Sequence, residues 1–253
     1  QRVGRISGPP APVYGGGMFA WQEERDGIRR AVTSREGGVS AAPYAGLNLG
    51  SHVGDDPDAV VENRRRLSAA VGAPVAYMEQ CHGTGVEVIQ AVPSDPPRVD
   101  ALVSATPGLA LAVLVADCVP VLLADSSAGV VAAVHAGRAG MADGVVLRAL
   151  EAMSDLGACH VDAVVGPSVC ARCYEVPETL RQQAAAASTV APAVSWTGTP
   201  AIDVAAGVVD QLHRAGAAVR WLPGCARERP DLFSHRRDGL TGRFAGLVSV
   251  VGR

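Results

Sequence analysis

Three short segments carry the residue types that hold metal ions or activate nucleophiles: Gln80-Cys81-His82-Gly83, Ala116-Asp117-Cys118 and Val134-His135-Ala136-Gly137. Two imidazoles and one thiolate make three protein ligands for zinc, leaving the fourth tetrahedral position open to water or substrate; a closed structural site would use four. Without metal, the same side chains form a cysteine-hydrolase or deamidase set, with Cys118 as nucleophile and His135 or His82 as base. Taken singly, each has a plain alternative, because a His at a strand end is commonly a hydrogen-bonded, half-buried residue and a lone Cys a small core hydrophobe. No local signature such as H-E-x-x-H links the three. Their common placement at strand ends beside glycine turns is what raises the functional reading.

The elements that must position them follow from apolar periodicity. Candidate strands cover Val86–Ile89, Leu109–Val115, Val119–Leu123 and Gly129–Val134, the last two joined by the turn-rich Asp125-Ser126-Ser127-Ala128 as a hairpin. Shorter strands are expected near Val161–Val165, Val219–Leu222 and Leu247–Val251. Asp55-Asp56-Pro57 opens a capped helix that runs to about Val71 and stops at Gly72. Further helices are expected over Met141–Leu156, Glu178–Ala187 and Val204–Arg214, the last capped by Asp203. Strands that cluster first and alternate with helices later predict an α+β, mixed-sheet sandwich rather than a doubly wound parallel sheet. The expectation is one catalytic domain over residues 13–253, preceded by a flexible segment over residues 1–12.

Composition narrows the chemistry. All 22 basic residues are Arg, so chemistry that needs a lysine amine (Schiff bases, pyridoxal phosphate anchoring, a P-loop lysine) is excluded. A net charge of −3 gives no footprint for nucleic acid. No apolar run is long enough to span a bilayer, and residues Gln1–Pro12 do not resemble a secretory signal, so a cytoplasmic protein is expected. The six cysteines are expected as thiols or metal ligands rather than disulfides. Cys170-Ala171-Arg172-Cys173 has CxxC spacing, but without a second such pair the reading is simple thiols near a turn.

The ordered motifs resemble the YfiH family, also described as the laccase-domain or polyphenol oxidase family and as purine nucleoside phosphorylases. The resemblance runs from Gly37-Gly38-Val39-Ser40 to Arg236-Arg237-Asp238-Gly239. It passes through Leu47-Asn48-Leu49-Gly50, His52-Val53-Gly54-Asp55-Asp56, Asn63-Arg64, the three segments above, Gly166-Pro167, Tyr174-Glu175-Val176 and Thr241-Gly242-Arg243. It implies a YfiH-like, cysteine-hydrolase-like sandwich with one Zn2+ held by His82, Cys118 and His135. It also implies phosphorolysis of adenosine, inosine, guanosine and methylthioadenosine, with adenosine deamination at the same site; purine nucleosides and inorganic phosphate are then the partners. Zinc acidifies a bound water to about pKa 7, which suits attack at a purine C6. Copper chemistry is disfavoured, because a multicopper centre needs many imidazoles and the chain has six His. Two departures bear on substrate. The family continues His-Ala-Gly with Trp-Arg-Gly where this chain has Arg138-Ala139-Gly140, and Ser168 replaces Cys in Gly-Pro-Cys. Arg64 and Arg138 are candidate anion partners, as are the amides of the Gly137–Gly140 turn before the Met141–Leu156 helix. Asn48 is a candidate ribose or base contact, Asp117 a ligand-orienting or proton-transfer group, and Glu175 a weaker acid or base.

Overall fold

Local sequence builds each layer of the computed structural model, which describes residues 17–252. The expectation for residues 1–12 lies outside them. Asp26 and Gly27, both at positive φ, turn the chain between β1 (Phe19–Arg25) and β2 (Ile28–Thr33). This Asp-Gly hairpin has the turn chemistry that matches strand twist, yet the sequence reading assigns nothing to this stretch. Helix α1 (Pro57–Val71) starts where the Asp56 carboxylate accepts the Asp58 amide and ends at Gly72 in the left-handed region, a cap worth about 1 kcal/mol. It buries Val60, Leu67 and Val71. Then come β3 (Val75–Ala76), β4 (Val86–Val88), β5 (Ala101–Ser104), β6 (Ala110–Val115), β7 (Val119–Asp125) and β8 (Val130–Ala136).

The remaining chain alternates. Helices α2 (Arg138–Asp143) and α3 (Val145–Asp155) are followed by β9 (Asp162–Val165), α4 (Glu178–Ala187), β10 (Pro192–Val194), β11 (Pro200–Ile202), α5 (Val204–Arg214), β12 (Ala218–Trp221), α6 (His235–Asp238) and β13 (Phe244–Val250). The helix expected over Met141–Leu156 is therefore two helices. Gly144 at φ 83° breaks the ladder, since a left-handed residue cannot continue an α-helix.

Two mixed sheets stack face to face, with strand orders β1-β2-β13-β6-β3 and β12-β9-β7-β8-β5-β4; β10 and β11 pair separately. Strand period 2 divides the core. On β7, Val119, Val121 and Leu123 face α2, α3 and α5, while Leu122 and Ala124 pack with Leu111, Val113 and Val248 of the opposite sheet. Helix α1 covers the outer face of the five-stranded sheet through Leu67 and Val71 against Ala112 and Leu247. The result is an α-β-β-α sandwich forming one domain, as the strand-then-helix pattern predicts. No described helix is long and apolar enough to cross a membrane.

Candidate functional site

Cys118 lies where the chain leaves β6 in one sheet and enters β7 in the other, so Asp117 takes a turn conformation at φ 96°. The β7–β8 hairpin pairs Val119 with Ala136 and Pro120 with His135. That register brings Cys118 level with Gly137. A Cβ on Gly137 would stand 2.7 Å from His82 Cδ2 and 3.4 Å from Cys118 Sγ, so only glycine admits both side chains. His82 arrives from the β3–β4 connection, itself at φ 61°.

The donor atoms of His82, Cys118 and His135 lie within 4.8 Å of one another. Cys118 Sγ is 3.8 Å from His82 Nε2, and the two imidazoles meet edge to face with centroids 4.7 Å apart. Asp100 organises both. Its Oδ1 is 2.8 Å from His135 Nδ1 and accepts the His82 amide at 2.9 Å; its Oδ2 accepts the Gly83 amide at 2.7 Å and the Cys81 thiol at 3.1 Å. Burial opposes ionisation of Asp100. Hydrogen bonds from His135, Cys81 and Gly83 outweigh it and hold the carboxyl far below the usual range. A carboxylate behind an imidazole fixes which nitrogen faces the cluster, so His135 presents Nε2. Burial likewise opposes charge on Cys118 and His135. Hydrogen bonds from both imidazoles nonetheless bring the Cys118 thiol down to about 6, and Asp100 with Cys118 raises His135 to about 9. Thiolate, two imidazoles and a supporting carboxylate suit a zinc ion with one open position.

The trio borders a pocket of about 380 Å³, a size that takes small organic ligands. Arg236, Arg243, His52, His235, Tyr174 and Gln80 also line it. Gln80 is clamped to the Leu114 backbone by a donated bond of 2.7 Å and an accepted one of 2.8 Å. Arg243 is anchored on the Thr241 and Gly242 carbonyls, each at 3.0 Å. Arg236 donates to the Glu175 carbonyl at 3.2 Å and lies 4.5 Å above the Tyr174 ring. Burial, then Arg243 and Arg64, lower the pKa of His52.

The other sequence candidates stand as follows. Asp117 lines the pocket, and its carboxylate accepts the Ser234 hydroxyl at 2.6 Å and the Arg236 amide at 2.7 Å. It therefore positions the Arg236 segment, while the group behind His135 is Asp100. Asn48 is fully buried; it donates to the Gly50 carbonyl and the Asp55 carboxylate and accepts the Arg243 amide at 2.8 Å. Arg64 stacks on Tyr77 at 4.1 Å and gives two bonds to the Leu49 carbonyl. Neither Arg64 nor Arg138, the first residue of α2, lines the pocket. The Glu175 carboxylate accepts Thr197 Oγ1 at 2.5 Å. Sequence reasoning missed Asp100, an isolated acid before an apolar strand. It also did not select Arg236, Arg243 and His52, although all three sit in motifs it had quoted.

A two-sheet sandwich with a His-Cys-His cluster where the sheets hand over defines a metal-capable pocket. The chain belongs to the laccase-domain family of YfiH/DUF152 proteins. The family model described as multi-copper polyphenol oxidoreductase laccase matches residues 29–251. A purine nucleoside phosphorylase of Streptomyces coelicolor is 52% identical over 239 residues, 91% of this chain and 99% of that protein. One from Mycobacterium bovis is 51% identical over 87% of this chain and 91% of its own. Among solved structures, a DUF152 protein of Neisseria meningitidis superposes with a TM-score of 0.83 at 36% identity, covering 91% of this chain and 98% of that one. YlmD of Geobacillus stearothermophilus gives 0.81 at 30% identity, with 89% and 93% covered.

Proposed function

We propose that this chain is a cytoplasmic, zinc-dependent purine nucleoside phosphorylase that takes adenosine, inosine, guanosine and methylthioadenosine, and that it also deaminates adenosine. The observation that carries this reading is the convergence of His82, Cys118 and His135 on a pocket that also holds two arginines. The names of relatives at 52% and 51% identity support it. In phosphorolysis a phosphate oxygen attacks ribose C1′, the glycosidic C–N bond breaks, and its electron pair leaves with the purine, which takes up a proton. Arg236 and Arg243 are the groups here that neutralise and orient the phosphate, in preference to Arg64 and Arg138. Tyr174 and Val169 offer the base an apolar wall. His82, Cys118 and His135 would hold the zinc, which would supply Lewis acidity to the reaction. Asp100 keeps His135 directed at the centre, and Gln80 fixes the wall formed by Leu114.

The experiment is incubation of purified protein with adenosine, with and without phosphate, with products identified. Adenine and ribose 1-phosphate are expected only with phosphate, and inosine without it. Unchanged adenosine in both arms overturns the reading. The depressed Cys118 thiol favours one rival, a metal-free cysteine hydrolase using Cys118 and His135. The chelator response has opposite sign in the two cases. Zinc removal is expected to abolish turnover and re-addition to restore it, whereas a nucleophilic Cys118 is activated when zinc leaves.

A further inference from the structure

Away from the pocket trio, three of the six thiols meet again. Cys170, Cys173, Cys225 and Glu228 place their donor atoms within 4.8 Å of one another. They come from two turns of related sequence, Cys170-Ala171-Arg172-Cys173 and Cys225-Ala226-Arg227-Glu228. The same hydrogen bond closes each: the Cys173 amide to the Cys170 carbonyl at 2.9 Å, and the Glu228 amide to the Cys225 carbonyl at 3.0 Å. A bridge between Ser168 and Cys225 sets the turns side by side, and the Ala226 amide donates to the Ser168 carbonyl at 2.9 Å. Each turn therefore offers its first and fourth side chains to one shared point. The CxxC does have a second pair, but that pair ends in a carboxylate, so a search for cysteines alone does not find it.

The surroundings fit a cation better than a redox dithiol. The Cys170 amide donates to Cys225 Sγ at 3.3 Å, and the Cys173 thiol approaches Glu228 Oε1 at 3.5 Å. Cys173 and Cys225 are buried. The Arg227 guanidinium interacts favourably with Cys173 and would offset part of the negative charge that three thiolates and a carboxylate would bring.

We propose that Cys170, Cys173, Cys225 and Glu228 form a second, closed zinc site of structural type, distinct from the open site in the pocket. Four protein donors with three sulfurs complete a tetrahedral shell. Binding releases three thiol protons, and no electrons move. The ion joins two walls of the pocket. Val169 and Tyr174 flank the first turn and line the pocket. The second turn is tied by Arg237, through the Ala226, Arg229 and Leu232 carbonyls, to the segment bearing His235 and Arg236.

The test is zinc stoichiometry by mass spectrometry of the full chain, expressed with zinc, for wild type, Cys225→Ser and His82→Ala. About two zinc ions per chain are expected in wild type and about one in each variant. Cobalt substitution adds a second readout: intense sulfur-to-cobalt absorption is expected to survive His82→Ala and to be largely lost in Cys225→Ser. Should Cys225→Ser fail to fold, Glu228→Gln on the exposed side of the turn replaces it, and is expected to lose this zinc to a chelator roughly tenfold more readily. A wild-type chain with a single zinc that Cys225→Ser retains overturns the proposal, as does a disulfide among these three cysteines in protein purified without oxygen. If the pocket trio binds no zinc, wild type holds one ion and Cys225→Ser none, so the two sites fail separately.

Discussion

The molecule gathers sulfur and its partners twice, in opposite styles. In the pocket, three donors come from the ends of paired strands and one hinge loop, and a carboxylate outside the shell aims one of them. At the turns, four donors come from two matching tetrapeptides and lie within 4.8 Å of one another, away from the pocket that holds the trio. The electrostatics follow the architecture. Imidazoles draw the Cys118 proton off at about 6, whereas burial, with the neighbouring Cys170 and Cys225 thiols, raises the Cys173 thiol to about 12. A cluster with a missing donor suits chemistry, and a completed one suits tethering.

Three measurements break or sharpen this contrast. The largest effect is expected from paired substitutions. Cys118→Ala should cut nucleoside turnover more than roughly 100-fold with little change in melting temperature. Cys225→Ser should keep kcat well below its melting point but lower Tm by more than about 5 °C. Calorimetry and kinetics on both variants check this; equal losses of activity would erase the distinction. Next, Asp100→Asn should weaken zinc binding in the pocket by roughly 10- to 100-fold and leave the turn cluster untouched. Competition with a chelator reads this, and unchanged affinity would demote Asp100 to a purely architectural group. The smallest expected effect is in thiol reactivity of zinc-stripped protein. Cys118 deprotonates as pH rises through about 6. Its alkylation rate should therefore climb to about that pH and then level off, while Cys173 stays protonated and slow at neutral pH. Peptide mass spectrometry after timed iodoacetamide labelling compares the two, and a shared midpoint would contradict the assigned environments.

Sequence carried the parts of this molecule whose signals are local. Asp56 and Gly72 announce α1, Asp203 announces α5, and Asp125-Ser126-Ser127-Ala128 announces the hairpin that sets Cys118 beside His135. The break at Gly144 was invisible because an apolar pattern continues on both sides of it. Strand β5 escaped for lack of length, and with it Asp100, whose role depends on partners 17 to 35 residues away. The placement of the arginines escaped for a similar reason. Arg64 stands beside Asn63 in a motif, but α1 turns it back onto the Leu49 carbonyl, while Arg236 and Arg243 reach the pocket from the far end of the chain. Proximity in sequence to the trio says little about which cation shares its cavity.

The hairpin register has a consequence for how the pocket centre assembles. Cys118 and His135 are fixed relative to each other as soon as β7 and β8 pair, a contact between neighbours in the chain. His82 is separate: its loop docks through the Asp100 carboxylate, which belongs to a third strand. One hairpin thus sets two of the donors, and a separate loop held on the Asp100 carboxylate sets the third. If the trio holds the proposed zinc, loosening the Cys81–Gly83 loop should speed loss of the ion while the Cys118–His135 pair stays in place.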